Sequence, residues 1–157
     1  MIVGVDFDGT CVTNKFPSCG YNIGAGPVLR LLQSKGINLM LWTLRGNINK
    51  DWAGNVYDKP LLSDVKEWSA KEGIKWNSIN ECPLNQDGWT DSNKQFADIY
   101  IDDMALGCPL KLKSSEHGLF VDWAAVLIFL NRLCKDLFTS AELSETFIAI
   151  SNEVDKL

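Results

Sequence analysis

Apolar and polar positions change period repeatedly along the chain, and the changes predict strands alternating with helices. Ile2–Val5 is a short, β-branched apolar run that stops at Asp6, as a buried strand does. A loop with Gly and Pro follows from Gly9 to Pro27. Pro27 suits the first turn of a helix, Val28, Leu31 and Leu32 supply its apolar face, and Gly36 its stop. Ile37–Trp42 reads as a second strand, ending at Thr43. A polar, Asn-rich loop over Arg45–Asn55 leads to a helix over Leu61–Glu72. There Leu61, Val65 and Trp68 share one face, and Gly73 sits where a left-handed cap is wanted. Lys75–Ile79 predicts a third strand and Ala97–Ile101 a fourth, ending at Asp102 and Asp103. Beyond a loop with Gly107 and Pro109, Leu119–Val121 predicts a short fifth strand. Trp123–Leu137 and Ala141–Val154 read as helices.

This order predicts a parallel sheet covered on both faces: one Rossmann-like, three-layer α/β/α domain over residues 1–157. Ligands of open α/β sheets bind beyond the carboxyl ends of the strands. The polar residues stand at those ends, Asp6 after the first strand, Thr43 after the second, Asp102 and Asp103 after the fourth. Distant segments are therefore expected to converge on one crevice. No internal repeat or linker divides the chain.

Composition narrows the function classes. A hydrophobic fraction of 46% with 22% charged residues is ordinary for a folded domain. The net charge of −5 argues mildly against non-specific nucleic-acid binding, which relies on Lys and Arg to neutralise phosphates. A local basic groove could still coexist with an acidic surface, so a nucleic-acid partner is open but not favoured. The five cysteines, Cys11, Cys19, Cys82, Cys108 and Cys134, form no CxxC pair, and His117 is the single histidine. A disulfide framework or zinc site would need tighter spacing; reduced thiols in a cytoplasmic protein are the simplest reading. The chain enters its first motif directly, so no signal peptide is expected. The longest apolar run, near Ala124–Leu130, is too short to span a bilayer, so no membrane partner is expected.

Asp6-Phe7-Asp8-Gly9-Thr10 at a strand tip carries the strongest chemical signal. Two carboxylates one residue apart can divide two roles: Asp6 attacks phosphorus, and Asp8 protonates the leaving oxygen and then deprotonates water. Gly9 permits the tight turn. An acidic Asx-turn is the bland alternative for such a segment. Thr43 offers a hydroxyl to a phosphate oxygen, and beyond Leu44, Arg45 could clamp that phosphate with two donors, although Arg45 could equally be a solvated surface residue. Lys94, in a polar loop before the fourth strand, could neutralise Asp6 and the transferring group. Adjacent Asp102 and Asp103 beside Asp6 and Asp8 would crowd negative charge, which a hard divalent cation with oxygen ligands, Mg²⁺, relieves.

In order and placement these motifs resemble the haloacid dehalogenase-like (HAD) superfamily of phosphatases. The resemblance runs from Ile2 to about Trp123. It implies Asp6 as nucleophile, Asp8 as acid/base, Thr43 and Lys94 as catalytic partners, and Gly9, Thr10, Leu44 and Arg45 at the phosphate. It implies Mg²⁺ held by Asp6, the backbone carbonyl of Asp8 and Asp102, with Asp103 as a nearer or water-bridged partner. The segments LMLWTLR and ADIYIDD, then Gly, Pro and Asp122-Trp123, are similar to a group of short bacterial members of that superfamily. The chain departs from them by extra residues around Lys111–His117.

The expected activity is Mg²⁺-dependent phosphomonoester hydrolysis through an aspartyl-phosphate. A phosphotransferase with a non-water acceptor, or a non-catalytic module binding Mg²⁺ and phosphate, are the alternatives. No cap domain fits between Cys11 and Leu41, and only Arg45–Asn93 could cover the site, so an open or lightly covered crevice is expected. That suits a large substrate such as a nucleic-acid end or phosphoprotein, or else needs an oligomer partner as lid. The expected partner is a phosphorylated small molecule or polymer end. Trp52, Trp76 and Trp89 could stack on a base, although tryptophan is more often core.

Overall fold

The fold comes from a computed structural model that describes residues 1–82, 94, 96–135 and 137–157. Parallel strands β1 (Ile2–Val5), β2 (Asn38–Leu41), β3 (Ser78–Ile79) and β4 (Ile99–Ile101) form a sheet in the order β3-β2-β1-β4. The helices are α1 (Ala25–Ser34), α2 (Leu62–Glu72), α3 (Trp123–Leu133) and α4 (Ser140–Val154). An antiparallel hairpin, β5 (Leu110–Leu112) and β6 (Leu119–Val121), stands apart from the sheet. The fold is thus α/β, Rossmann-like, with a parallel sheet flanked by helices.

Period-two alternation explains how the sheet packs. Val3 and Val5 of β1, Leu39 and Leu41 of β2 and Ile101 of β4 enter one core with Val28, Leu29 and Leu32 of α1. Val65 and Trp68 of α2, Val126, Leu127 and Leu130 of α3, and Ile150 of α4 complete it. The helix ends follow local chemistry. Gly36 (φ 72°) lies just beyond α1, and Gly73 (φ 68°) caps α2. The Asp122 carboxylate caps α3 by accepting from the amides of Ala124 and Ala125. Thr139 and Glu142 form a reciprocal capping box on α4.

Several expectations need correction: α3 ends at Leu133 rather than Leu137, and β4 starts at Ile99 rather than Ala97. The third strand starts at Ser78 rather than Lys75, because the Asn77 side chain takes the amide of Leu39 (2.9 Å) that a longer ladder would have used. The fifth strand does not join the parallel sheet. Its link to β5 is too short for the crossover a parallel partner demands, so the residues around Lys111–His117 turn back into a hairpin.

From β1 the chain steps outward to β2 and β3, then returns to the opposite side of β1 as β4. Adjacent connections diverge at the carboxyl ends of β1 and β4, leaving a crevice there. No described helix is long and apolar enough to cross a membrane.

Candidate functional site

The crevice between β1 and β4 is where the acidic motifs meet. Val5 pairs with Ile101, and the Asp6 amide continues the ladder by donating to the Ile101 carbonyl at 3.0 Å. Asp6 and Asp102 therefore leave the sheet side by side. One carboxylate oxygen from each of Asp6, Asp102 and Asp103 lies within 4.8 Å of the others, and all three residues are half-buried.

A tight turn after β1 holds this cluster. The Phe7 carbonyl accepts from the amide of Cys11 at 2.7 Å, and Gly9 adopts φ 78°. A side chain at Gly9 would run into the Asp103 carboxylate, so close approach as well as φ requires glycine. Thr10 is fully buried and links the two strand ends: its hydroxyl donates to Asp6 Oδ2 (3.2 Å) and accepts from the Asp103 amide (3.0 Å). Behind the turn, Trp123 Nε1 donates to the Thr10 carbonyl at 2.6 Å, and the Val121 amide donates to the Gly9 carbonyl at 2.9 Å. The hairpin and the start of α3 thus brace the turn.

Burial, then the neighbouring charges of Asp102 and Asp103, push Asp6 up from 3.8 to about 7, against the opposing pull of the Phe7 backbone and Thr10. Burial and Asp102 likewise raise Asp103. Three converging hard oxygen donors could hold a divalent cation such as Mg²⁺, and their partial burial separates them from an ordinary solvated acidic turn.

Asp8 takes a different environment. Both its oxygens accept from Arg45, Oδ2 from Nε and Oδ1 from Nη2, each at 2.7 Å. Arg45 is buried, which corrects the expectation of a solvated surface residue, and its fork is turned to protein acceptors. Its side chain is 0% exposed, and Nη1 and Nη2 also donate to the carbonyls of Pro17 (2.8 Å) and Ser18 (2.9 Å). The donors of the Arg45 fork are thus taken by protein acceptors.

Thr43 follows β2, where the Trp42 amide donates to the Val5 carbonyl. Its hydroxyl accepts from the Arg45 amide (3.2 Å), and its own amide donates to Asn80 Oδ1 (2.8 Å). Leu44 is wholly exposed, and Lys94 is exposed ahead of β4. Trp76 packs partly buried against the core, Trp52 is 95% exposed, and Trp89 lies outside the described residues. Asn80 and Asp64 were not singled out from the sequence. Asn80, at φ 54°, brackets the Thr43–Arg45 turn by also donating to the Arg45 carbonyl (3.2 Å), and a left-handed Asn after a strand was the only local hint. A cavity of about 240 Å³ between the hairpin, α3 and α4 is lined by Phe120, Trp123, Phe147 and Ile150, and by none of Asp6, Asp8, Asp102 and Asp103.

No protein-family model matches the chain, and no curated protein sequence matches it. A solved structure of a conserved protein from Bacteroides thetaiotaomicron is similar: 28% identical, covering 91% of this chain and 96% of that one, with a TM-score of 0.61. The similarity supports the α/β fold.

Proposed function

We propose that the chain is a Mg²⁺-dependent phosphohydrolase of the HAD type, acting on phosphomonoesters. The observation that carries this reading is the convergence of Asp6, Asp102 and Asp103 at the junction of β1 and β4, with Asp6 raised to about 7 by burial and by the charges of Asp102 and Asp103. Asp6, Asp102 and Asp103, with the Asp8 carbonyl, would hold Mg²⁺, which supplies charge neutralisation at the phosphoryl oxygens.

The residues divide the chemistry as follows. An Asp6 carboxylate oxygen attacks phosphorus, the ester P–O bond breaks, and Asp8 gives its proton to the departing alcohol. Asp8 then takes a proton from water, whose oxygen attacks phosphorus; the bond to Asp6 breaks and inorganic phosphate leaves. Thr43 orients the phosphoryl oxygens, and Lys94 offsets their charge. Positioning and electrostatics do most of the work in phosphoryl transfer, which suits a rigid turn braced by Thr10 and Trp123.

The test is phosphate release from nucleotides, sugar phosphates, phosphopeptides and 3′- and 5′-phosphorylated oligonucleotides with Mg²⁺, beside Asp6→Asn. Release by the wild type alone supports the reaction class, and the preferred compound separates small molecules from polymer ends. Equal inactivity, with both proteins folded and the wild type binding Mg²⁺, would reject hydrolysis and favour a binding module.

A further inference from the structure

We propose that Arg45 is the positioning residue for Asp8: its buried fork fixes the carboxylate that handles protons in the reaction, a role that rests on the phosphohydrolase reading above. A guanidinium has five N–H donors in one plane. Here Nε and Nη2 grip both Asp8 oxygens at 2.7 Å, Nη2 also reaches Ser18, and Nη1 reaches Pro17, with the Leu61 carbonyl and Asp64 Oδ2 both at 3.5 Å. The rings of Phe7 and Phe16 approach the same guanidinium at 5.5 and 5.2 Å. Arg45 is thus immobilised by groups from the turn after β1, the long loop before α1, and α2.

The two partners face different surroundings. The Arg45 side chain is 0% exposed, whereas that of Asp8 is 17% exposed. Each carboxylate oxygen retains a second lone pair after accepting one bond, so Asp8 can exchange a proton with a leaving oxygen or water while the fork holds it. Arg45 itself has no donor left for substrate. A bidentate fork fixes both the position and the plane of a carboxylate, which a point-charge ammonium cannot do. Reaction rates fall steeply when a reacting group is displaced by even about 1 Å, so this constraint bears on turnover rather than binding.

The experiment compares wild type, Asp8→Asn, Arg45→Lys and Arg45→Gln with Mg²⁺ on p-nitrophenyl phosphate and phenyl phosphate, reading kcat and KM separately. p-Nitrophenolate departs without a proton, whereas phenolate needs one more acutely. Misplacing Asp8 should therefore cost more on phenyl phosphate. Arg45→Lys is expected to lose about 10–100-fold in kcat on phenyl phosphate, the scale for supporting hydrogen-bond partners. It should lose less on p-nitrophenyl phosphate, keep KM, and share this leaving-group signature with Asp8→Asn. Equal losses on both esters, or a raised KM at unchanged kcat, would overturn the proposal. Whichever Arg45 variant remains folded by circular dichroism carries the test; loss of fold in both would make Arg45 structural and end the proposal. An active wild type with inactive Asp6→Asn and unaffected Arg45 variants refutes the positioning role alone. An inactive wild type refutes the phosphohydrolase reading and this role together.

Discussion

Removing the Asp6 charge should stabilise the metal-free protein while abolishing turnover. Asp6 is raised from 3.8 to about 7 by burial and by the charges of Asp102 and Asp103. The folded state therefore binds this proton more tightly than the unfolded chain does. Stability from this group is fullest below the unfolded value near 3.8, declines as pH rises, and is lost once pH passes about 7. At 1.36 kcal/mol per pKa unit the ionised group costs up to about 4 kcal/mol at pH 8. Relaxation and water entry reduce this to roughly 2 kcal/mol, since effective dielectric constants near such sites are high. In Asp6→Asn the amide oxygen can still accept from Thr10, so the charge is the main thing removed. For a domain of this size roughly 2 kcal/mol corresponds to a Tm higher by about 4–8 °C. Differential scanning fluorimetry with EDTA at pH 8 and again at pH 5 measures it: the variant should melt above wild type at pH 8, with the gap narrowing at pH 5. Saturating Mg²⁺ should raise the wild-type Tm at pH 8 and leave the variant almost unmoved. A variant that melts below wild type in EDTA at pH 8, or a gap independent of pH, would refute this account of the acidic cluster.

Other expectations concern the supports of the site. Gly9→Ala places a side chain against the Asp103 carboxylate at φ 78°; it should lose at least about 1–2 kcal/mol in urea unfolding and weaken Mg²⁺-dependent stabilisation. Trp123→Phe removes the 2.6 Å donor to the buried Thr10 carbonyl; a loss of about 1–3 kcal/mol by the same assay is expected, with unchanged m-value. Glu142 is lowered to about 2 by the Lys35 ammonium and by Thr139 in the α4 cap. Its contribution is present above about 4.5 and lost as pH falls toward 2, so acid unfolding of Glu142→Gln should show a shallower pH dependence across that window.

Much of this fold is local in origin, and such parts can be read from a linear chain. Ile2–Val5 and Asn38–Leu41 are apolar runs too short for helices, and α2 ends where Gly73 provides a left-handed residue. The same holds for Asp6 and Asp102, since a strand end carries its next residue to a sheet's edge wherever the strand is placed. Lys94 and Thr43 gain their meaning only through that placement. Arg45 was illegible: an arginine in a polar loop looks solvated until Asp8, Ser18, Pro17 and Asp64 are brought around it from segments far apart in sequence. Its burial is tolerable only because those acceptors arrive together, and no pattern within the loop encodes their arrival. The Leu119–Val121 strand shows the same division. Its β character is intrinsic, but its partner was decided by the length of the turn that folds it onto Leu110–Leu112. Sequence alone therefore determined the element types and the acids at the strand ends, because those depend on neighbours in the chain. The tertiary structure decided which charges are paired and which are left exposed to one another, because a charge's cost depends on the acceptors and water that the folded chain leaves around it.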